Sequence, residues 1–127
     1  MFQYNKILLL IDTSNPTAHT LCSKALLLAE IFKARITLLH FISNQDSMKN
    51  NTSSYKKAYT SLLYYGRHFV IPTNDLIVTC TDNLTESLSS KISELKINLL
   101  LLDSESSITK SASHFTCDVM ILIQNQH

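Results

Sequence analysis

Short apolar runs are separated along the chain by longer segments in which apolar residues recur every three or four positions. The apolar runs lie at residues 7–11, 35–42, 76–80, 98–102 and 119–123. The first is bounded by Lys6 and Asp12 and has no polar residue inside it, which is typical of a strand buried on both faces of a parallel sheet. The pattern predicts five strands covered by helices.

Three of the intervening segments are predicted to be amphipathic helices that lie on the sheet. Their apolar positions are Ala18, Leu21, Cys22, Ala25, Leu28, Ala29 and Phe32 in the first, Tyr55, Ala58, Tyr59, Leu62, Tyr65 and Phe69 in the second, and Leu84, Leu88, Ile92 and Leu95 in the third. Asn15 is expected to cap the first helix, with Pro16 at its first position. Asn83 with Glu86 resembles a capping box for the third. Residues 104–115 predict only a weak and short helical segment.

The alternation of strands and helices predicts one α/β domain over residues 1–127. We expect a doubly wound open sandwich with a five-stranded, mainly parallel sheet and helices on both faces. The polar residues 43–54 lack periodicity and are expected to form a surface loop. The single glycine of the chain, Gly66, falls inside the second helix, where it indicates either tight packing or a tolerated loss of about 1 kcal/mol relative to alanine.

Composition and charge narrow the classes of function. The formal net charge is +1 and no basic run occurs, so neither a nucleic-acid partner nor a membrane surface is expected. No apolar run approaches membrane-spanning length and the strand pattern begins too early for a signal peptide, so we expect a cytoplasmic protein. Cys22, Cys80 and Cys117 are an odd and widely spaced set, which indicates buried thiols in a reducing compartment.

Topology sets where chemistry is expected, because ligands bind open parallel sheets beyond the carboxyl ends of the strands. The residues that emerge there are Asp12, Thr13 and Ser14 after the first strand, Phe41 and Ile42 at the end of the second, and residues 103–106 after the fourth. Asp12 could hold a ligand or bond to its own turn. Ser14 could accept a phosphoryl group or cap that turn.

Motifs for catalysis and metal binding are absent from the sequence. The five histidines show no ligand spacing and none is paired with a cysteine in a metal-binding pattern, so no metal site is expected. The nucleophile elbow and the glycine-rich dinucleotide turn are also absent. A phosphoacceptor receiver domain is disfavoured because neither neighbour of Asp12 is acidic and residues 119–127 contain no lysine. We therefore predict a protein that is not an enzyme and has no catalytic residues.

The sequence ILLLIDTS, followed by a helix that runs into LLLAEIFKARITLLHFI, resembles the start of the universal stress protein family. The similarity continues through residues 82–86, NLLLLDS and CDVMILI, and so covers nearly the whole chain. It implies the strand order 3-2-1-4-5, with the switch point between strands one and four. For the nucleotide-binding branch of the family, it implies that Asp12 holds the adenine, that backbone near Phe41 contacts the base, and that a glycine motif after strand four cradles the phosphates.

The sequence departs from this resemblance at the phosphate end. Asp103 and Ser106 stand where the first two glycines belong, Glu105 lies between them, and no third glycine follows. Glycine in such a motif lets bare backbone N–H groups approach phosphate oxygens. Carboxylates at that rim would instead repel a triphosphate by about 1 kcal/mol per close pair, even at the dielectric constant of water. The chain thus resembles the branch that has lost ATP binding, and we expect no cofactor.

The last apolar run, with no helix after it, predicts an exposed sheet edge that pairs with a second copy. The expected homodimer contact comprises Val119, Met120, Ile121, Leu122 and Ile123. The hypothesis is a cytoplasmic, dimeric, non-enzymatic stress-response or regulatory module that does not bind ATP. The alternative is an adenine-nucleotide switch that binds ATP or AMP through Asp12, Phe41 and the backbone around Ser104.

Overall fold

A computed structural model describes residues 4–43 and 52–123. Within them, five strands are present: β1 (Lys6–Leu10), β2 (Arg35–Ile42), β3 (Leu76–Cys80), β4 (Leu99–Asp103) and β5 (Asp118–Leu122). Three α-helices connect them, α1 (Ala18–Phe32), α2 (Thr52–Phe69) and α3 (Leu84–Leu95), together with short 3₁₀ helices at Thr73–Asp75 and Ser107–His114. Each predicted strand is observed, displaced by at most one residue.

The strands form one parallel sheet in the order β3-β2-β1-β4-β5. The predicted fold class and strand order are both confirmed. Because the chain moves from β1 to β2 and β3 on one side and to β4 and β5 on the other, the order reverses between β1 and β4. All five residues of β4 are buried, as expected for a strand covered on both faces.

Two apolar layers cover the sheet, because successive side chains of a strand point to opposite faces. Ile7 and Leu9 of β1 pack into the layer formed by α1 and α2. Leu8 packs into the layer formed by α3 and the Ser107–His114 segment, which contributes Ile108. The segment predicted to be weakly helical at residues 104–115 is therefore a 3₁₀ helix that helps to close the second face.

The start of α1 differs from the prediction, and the start of α3 agrees with it. Helix α1 begins at Ala18 with Thr17 at its N-cap position, and Pro16 lies in the preceding turn. The Asn15 side chain instead accepts the backbone N–H of Thr17 at 3.0 Å and its hydroxyl at 2.8 Å. At α3, the Asn83 side chain accepts the N–H of Glu86 at 3.2 Å, so the predicted cap is confirmed.

Gly66 lies at a close contact between α2 and β3. A Cβ atom at this position would lie 2.6 Å from Leu76 Cδ1 and 3.3 Å from the carbonyl oxygen of Ile71. Of the two sequence interpretations, the structure supports tight packing.

Two other predictions need revision. Helix α2 already begins at Thr52, inside the segment predicted to be a loop, and residues 44–51 of that segment lie outside the described residues.

The three cysteines differ in burial. Cys22 is buried, and burial raises the pKa of its thiol to about 12. Cys117 is half-buried. Cys80 is exposed, so the prediction of three buried thiols was wrong there. The reason is that Cys80 ends β3, which is an edge strand.

No helix in the described ranges is long and apolar enough to cross a membrane.

Candidate functional site

A cavity of about 410 Å³ opens at the carboxyl ends of β1 and β4. This is the position at which ligands bind open parallel sheets. Its apolar lining is Leu10, Ile11, Ala18, Leu21, Phe41 and Leu84. Its polar lining is Asp12, Asn15, Thr17, Asp103, Glu105, Ser106 and Ser107.

The cavity brings together two of the three predicted site residues. Asp12 and Phe41 both line it, but Ser104 does not. The N–H of Ser104 donates instead to the carbonyl oxygen of Leu122 on β5, at 3.0 Å. Sequence reasoning missed Leu21 and Leu84, although both belong to the apolar stripes of helices that start at this end of the sheet.

The loop after β1, hereafter the β1 turn (residues 12–15), uses the Asp12 carboxylate internally. Asp12 Oδ1 accepts the backbone N–H of Ser14 at 3.0 Å and the Ser14 hydroxyl at 2.6 Å. The Asp12 carbonyl oxygen accepts the N–H of Asn15 at 3.0 Å. Of the two interpretations of Asp12, the geometry shows the bond to its own turn.

The β1 turn is also tied to β2 through a buried histidine that sequence reasoning set aside. Thr13 donates its N–H to His40 Nδ1 at 3.3 Å, and His40 is 8% exposed. Since Nδ1 accepts this bond, the neutral ring carries its proton on Nε2. Burial lowers the pKa of His40, and the Asp12 carboxylate opposes that shift in part. The available signal was a polar residue near the end of a strand, with apolar residues on both sides of it in the sequence.

The loop after β4 is hereafter called the β4 turn (residues 103–106). Its backbone N–H groups donate to acceptors within the protein. The N–H of Glu105 donates to Asp103 Oδ1 at 3.1 Å, and that of Ser106 donates to the Asp103 carbonyl oxygen at 2.9 Å. With the Ser104 bond to Leu122, three consecutive N–H groups have acceptors within the protein. The Asp103 carboxylate thus stands where a bound anion would accept hydrogen bonds.

Charge at the cavity has one sign. Asp12, Asp103 and Glu105 line it, and no lysine, arginine or histidine is among the lining residues. Within residues 4–43 and 52–123, no three His, Cys, Asp or Glu side chains are grouped closely enough to hold a metal ion. The arrangement offers carboxylate acceptors above an apolar lining.

Comparison with known proteins identifies the fold. No protein-family model matches the sequence, and no curated protein sequence matches it. Among solved structures, the chain is similar to universal stress protein UspA from Lactobacillus plantarum, with a TM-score of 0.77 and 15% identity over 96% of this chain and 99% of that one. The chain therefore has the fold of universal stress proteins.

Two further similar structures contain nucleotides. One is a universal stress protein family protein from Arabidopsis thaliana with AMP bound, at a TM-score of 0.63 and 16% identity over 95% of this chain and 92% of that one. The other is a universal stress protein in complex with cAMP, at a TM-score of 0.67 and 12% identity over 96% and 98% of the two chains. At these identities the similarity concerns the fold.

Proposed function

We propose that this chain is a cytoplasmic universal stress protein of the type that does not bind ATP, acting as a dimeric, non-enzymatic stress-response or regulatory module. The fold and the resemblance of the first strand, turn and helix support the family. The observation that carries the loss of ATP binding is the internal bonding of the β4 turn. Its three consecutive N–H groups already have acceptors in Leu122 and Asp103.

The internal bonding of the β4 turn opposes a phosphate cradle for a physical reason. Such cradles bind phosphate through successive backbone N–H groups that point at the ligand. Here a triphosphate would have to displace the Asp103 carboxylate from the N–H of Glu105 and break the pairing between Ser104 and β5. It would do so beside Glu105, whose like charge opposes it by about 1 kcal/mol per close pair in water.

Calorimetric titration with ATP and then AMP, in the presence of magnesium, tests this proposal. We expect no heat of binding from protein whose circular dichroism shows it to be folded. The Arabidopsis protein that has AMP bound serves as the positive control for the AMP titration. Micromolar binding of either nucleotide to this chain would contradict the proposal.

The second candidate function is an adenine-nucleotide switch that uses the same cavity. It is favoured by the cavity of about 410 Å³ between Asp12 and Phe41, and by the AMP and cAMP in two similar structures. Asp12→Ala should abolish adenine binding under this candidate. Ser14→Ala is the matched control, because it removes a bond within the same turn and keeps the carboxylate.

The open edge of β5 supports the proposed dimer. β5 ends the strand order, and Ile121 and Ile123 are 40% and 68% exposed. Leu122, which was predicted to contribute to the contact, is only 9% exposed and packs in the core. Its side chain is therefore excluded from the proposed interface, which rests on the exposed residues and the strand backbone.

Helix α1 adds two exposed apolar side chains beside this edge. Lys24 Nζ donates to the carbonyl oxygen of Ile123 at 2.9 Å, so the side of α1 that carries Lys24 faces the end of β5. Leu27 and Ile31 are three and seven residues further on the same face. They are 60% and 72% exposed, so both are accessible for a contact with a second copy.

Light scattering at micromolar concentration tests the dimer. We expect a dimer mass for the native chain and a monomer mass for the Leu27→Lys, Ile121→Lys double variant. Val70→Lys is the control, because Val70 is 86% exposed but precedes β3 at the opposite sheet edge. A monomer mass for the native chain would remove this part of the proposal.

A further inference from the structure

The charge and shape of the cavity at the β1 and β4 turns suggest a ligand that differs from a nucleotide. We propose that it binds an organic cation carrying a flat or aromatic ring, with the positive charge at the carboxylates and the ring on the apolar lining. This inference rests on the proposed function, because it requires that phosphates do not occupy the site. It names the chemical class that the site takes in their place.

Asp103 supplies the main electrostatic argument. Its side chain lines the cavity and the residue is 7% exposed. Oδ1 accepts the N–H of Glu105, while Oδ2 has no hydrogen-bond or ion-pair partner in the described part of the chain. A buried carboxylate without a counter-charge is unfavourable unless a cation or further donors reach it. A cationic ligand in the cavity provides both.

Asp12 and Glu105 add to the same potential. Both are exposed at the cavity rim, and the lining has no basic side chain to offset them. Three carboxylates with apolar walls concentrate a negative field in the opening, which attracts cations and repels anions. The cavity should therefore select by the sign of ligand charge before it selects by shape.

The apolar lining argues against a bare metal ion. Leu10, Leu21, Phe41 and Leu84 contribute to the walls, and no metal-binding group of three side chains occurs in residues 4–43 and 52–123. A volume of about 410 Å³ lies within the range of roughly 300–1,000 Å³ found for small-molecule sites. Phe41 offers a ring that can stack on the ligand or contact its charge.

A series of three probes that share a phenylethyl group isolates the effect of charge. We would titrate the protein with 2-phenylethylammonium, 2-phenylethanol and 3-phenylpropionate and follow binding by calorimetry. We expect the ammonium to bind at least about tenfold more tightly than the alcohol, and the carboxylate not to bind. Equal affinities for the ammonium and the alcohol would overturn the inference. Calcium that displaces the ammonium at equal concentration would also overturn it, since the site would then be purely ionic.

Two variants connect the effect to the carboxylates. Asp103→Asn keeps an acceptor for the Glu105 N–H and removes the buried charge, and Glu105→Gln removes a charge at the rim without touching the core. Both should weaken binding of the ammonium, by about tenfold for Asp103→Asn and less for Glu105→Gln, and leave the alcohol unchanged. Glu30→Gln is the control, because Glu30 is an exposed glutamate on α1 away from the cavity. Unchanged ammonium affinity in Glu105→Gln and Asp103→Asn would overturn the inference.

The nucleotide titrations separate this inference from the proposed function. Binding of AMP or ATP contradicts the proposed function. If neither the nucleotides nor the ammonium bind, only the organic-cation inference is overturned.

Discussion

The β1 turn and the β4 turn follow the two strands that flank the cavity, and they share one hydrogen-bond pattern. In each, the aspartate side chain accepts the N–H two residues ahead, at 3.0 Å in the β1 turn and 3.1 Å in the β4 turn. The aspartate carbonyl accepts the N–H three residues ahead, at 3.0 and 2.9 Å respectively. The aspartate at or just beyond the end of each strand therefore closes the turn that follows it, and the N–H groups two and three residues ahead are not available to an anion.

The two turns differ in what holds the residue after the aspartate. Thr13 donates to the imidazole of His40, whereas Ser104 donates to a backbone carbonyl of β5. Asp12 is exposed, and Asp103 is buried. The same local pattern thus depends on a titratable side chain in one turn and on the sheet itself in the other. The difference predicts that mutations and pH affect the two turns unequally.

The largest expected effect is on the free energy of unfolding, and it should differ between the leucines that precede the two turns. Leu102 is fully buried and Leu10 is half-buried, and both pack on the α3 side of the sheet. Leu102→Ala should lower the free energy of unfolding by about 2–5 kcal/mol. Leu10→Ala should lower it less, because Leu10 already borders the open cavity. Urea denaturation of both variants measures the difference, and equal losses would show that the two strand ends are equally packed.

The next effect is a pH dependence confined to the β1 turn. Because burial lowers the pKa of His40 in the folded protein, the unfolded chain binds more protons once the pH falls below about 6.5. Stability contributed by neutral His40 is therefore present above that pH and is lost as the pH falls. The slope approaches at most about 1.4 kcal/mol per pH unit for one group. Urea midpoints between pH 5 and pH 8 measure it.

Two variants assign this slope to His40. His40→Asn keeps an acceptor near the position of Nδ1 for the Thr13 N–H but cannot titrate, so its stability should vary less with pH. Asp12→Asn should steepen the loss in acid, because the Asp12 charge partly opposes the lowering of the His40 pKa. A native slope retained in His40→Asn would assign the pH dependence to other groups.

Local signals in the sequence predicted most of the fold. Apolar runs located every strand to within one residue, and Asn83 located the start of α3, because these signals act between neighbouring residues. The start of α1 was misplaced because the β1 turn takes up Asn15, so the helix begins two residues later than an Asn15 cap would require. Cys80 was misjudged because exposure at a sheet edge depends on strand order and not on the local pattern.

For two predicted site residues, topology alone was enough to predict that they lie at the cavity. Asp12 and Phe41 lie at strand ends beside the switch point, and both line the cavity. Ser104 itself does not line the cavity, and its N–H pairs with Leu122, a contact set by the register of β4 against β5. The role of His40 was missed because it depends on which strand-end loop contacts its ring. A local sequence pattern does not indicate that contact.

The smallest expected effect compares the serines of the two turns. The Ser14 hydroxyl donates to Asp12 Oδ1 at 2.6 Å, whereas the Ser104 side chain has no hydrogen bond within the described residues. Ser14→Ala should lower the free energy of unfolding by about 0.5–1.5 kcal/mol, near the lower limit because both partners are exposed. Ser104→Ala should change it by less than about 0.5 kcal/mol. If Ser104→Ala were the more destabilising of the two in matched urea titrations, the side chain of Ser104 would contribute to the β4 turn, and the assignment of that turn to backbone bonds alone would be wrong.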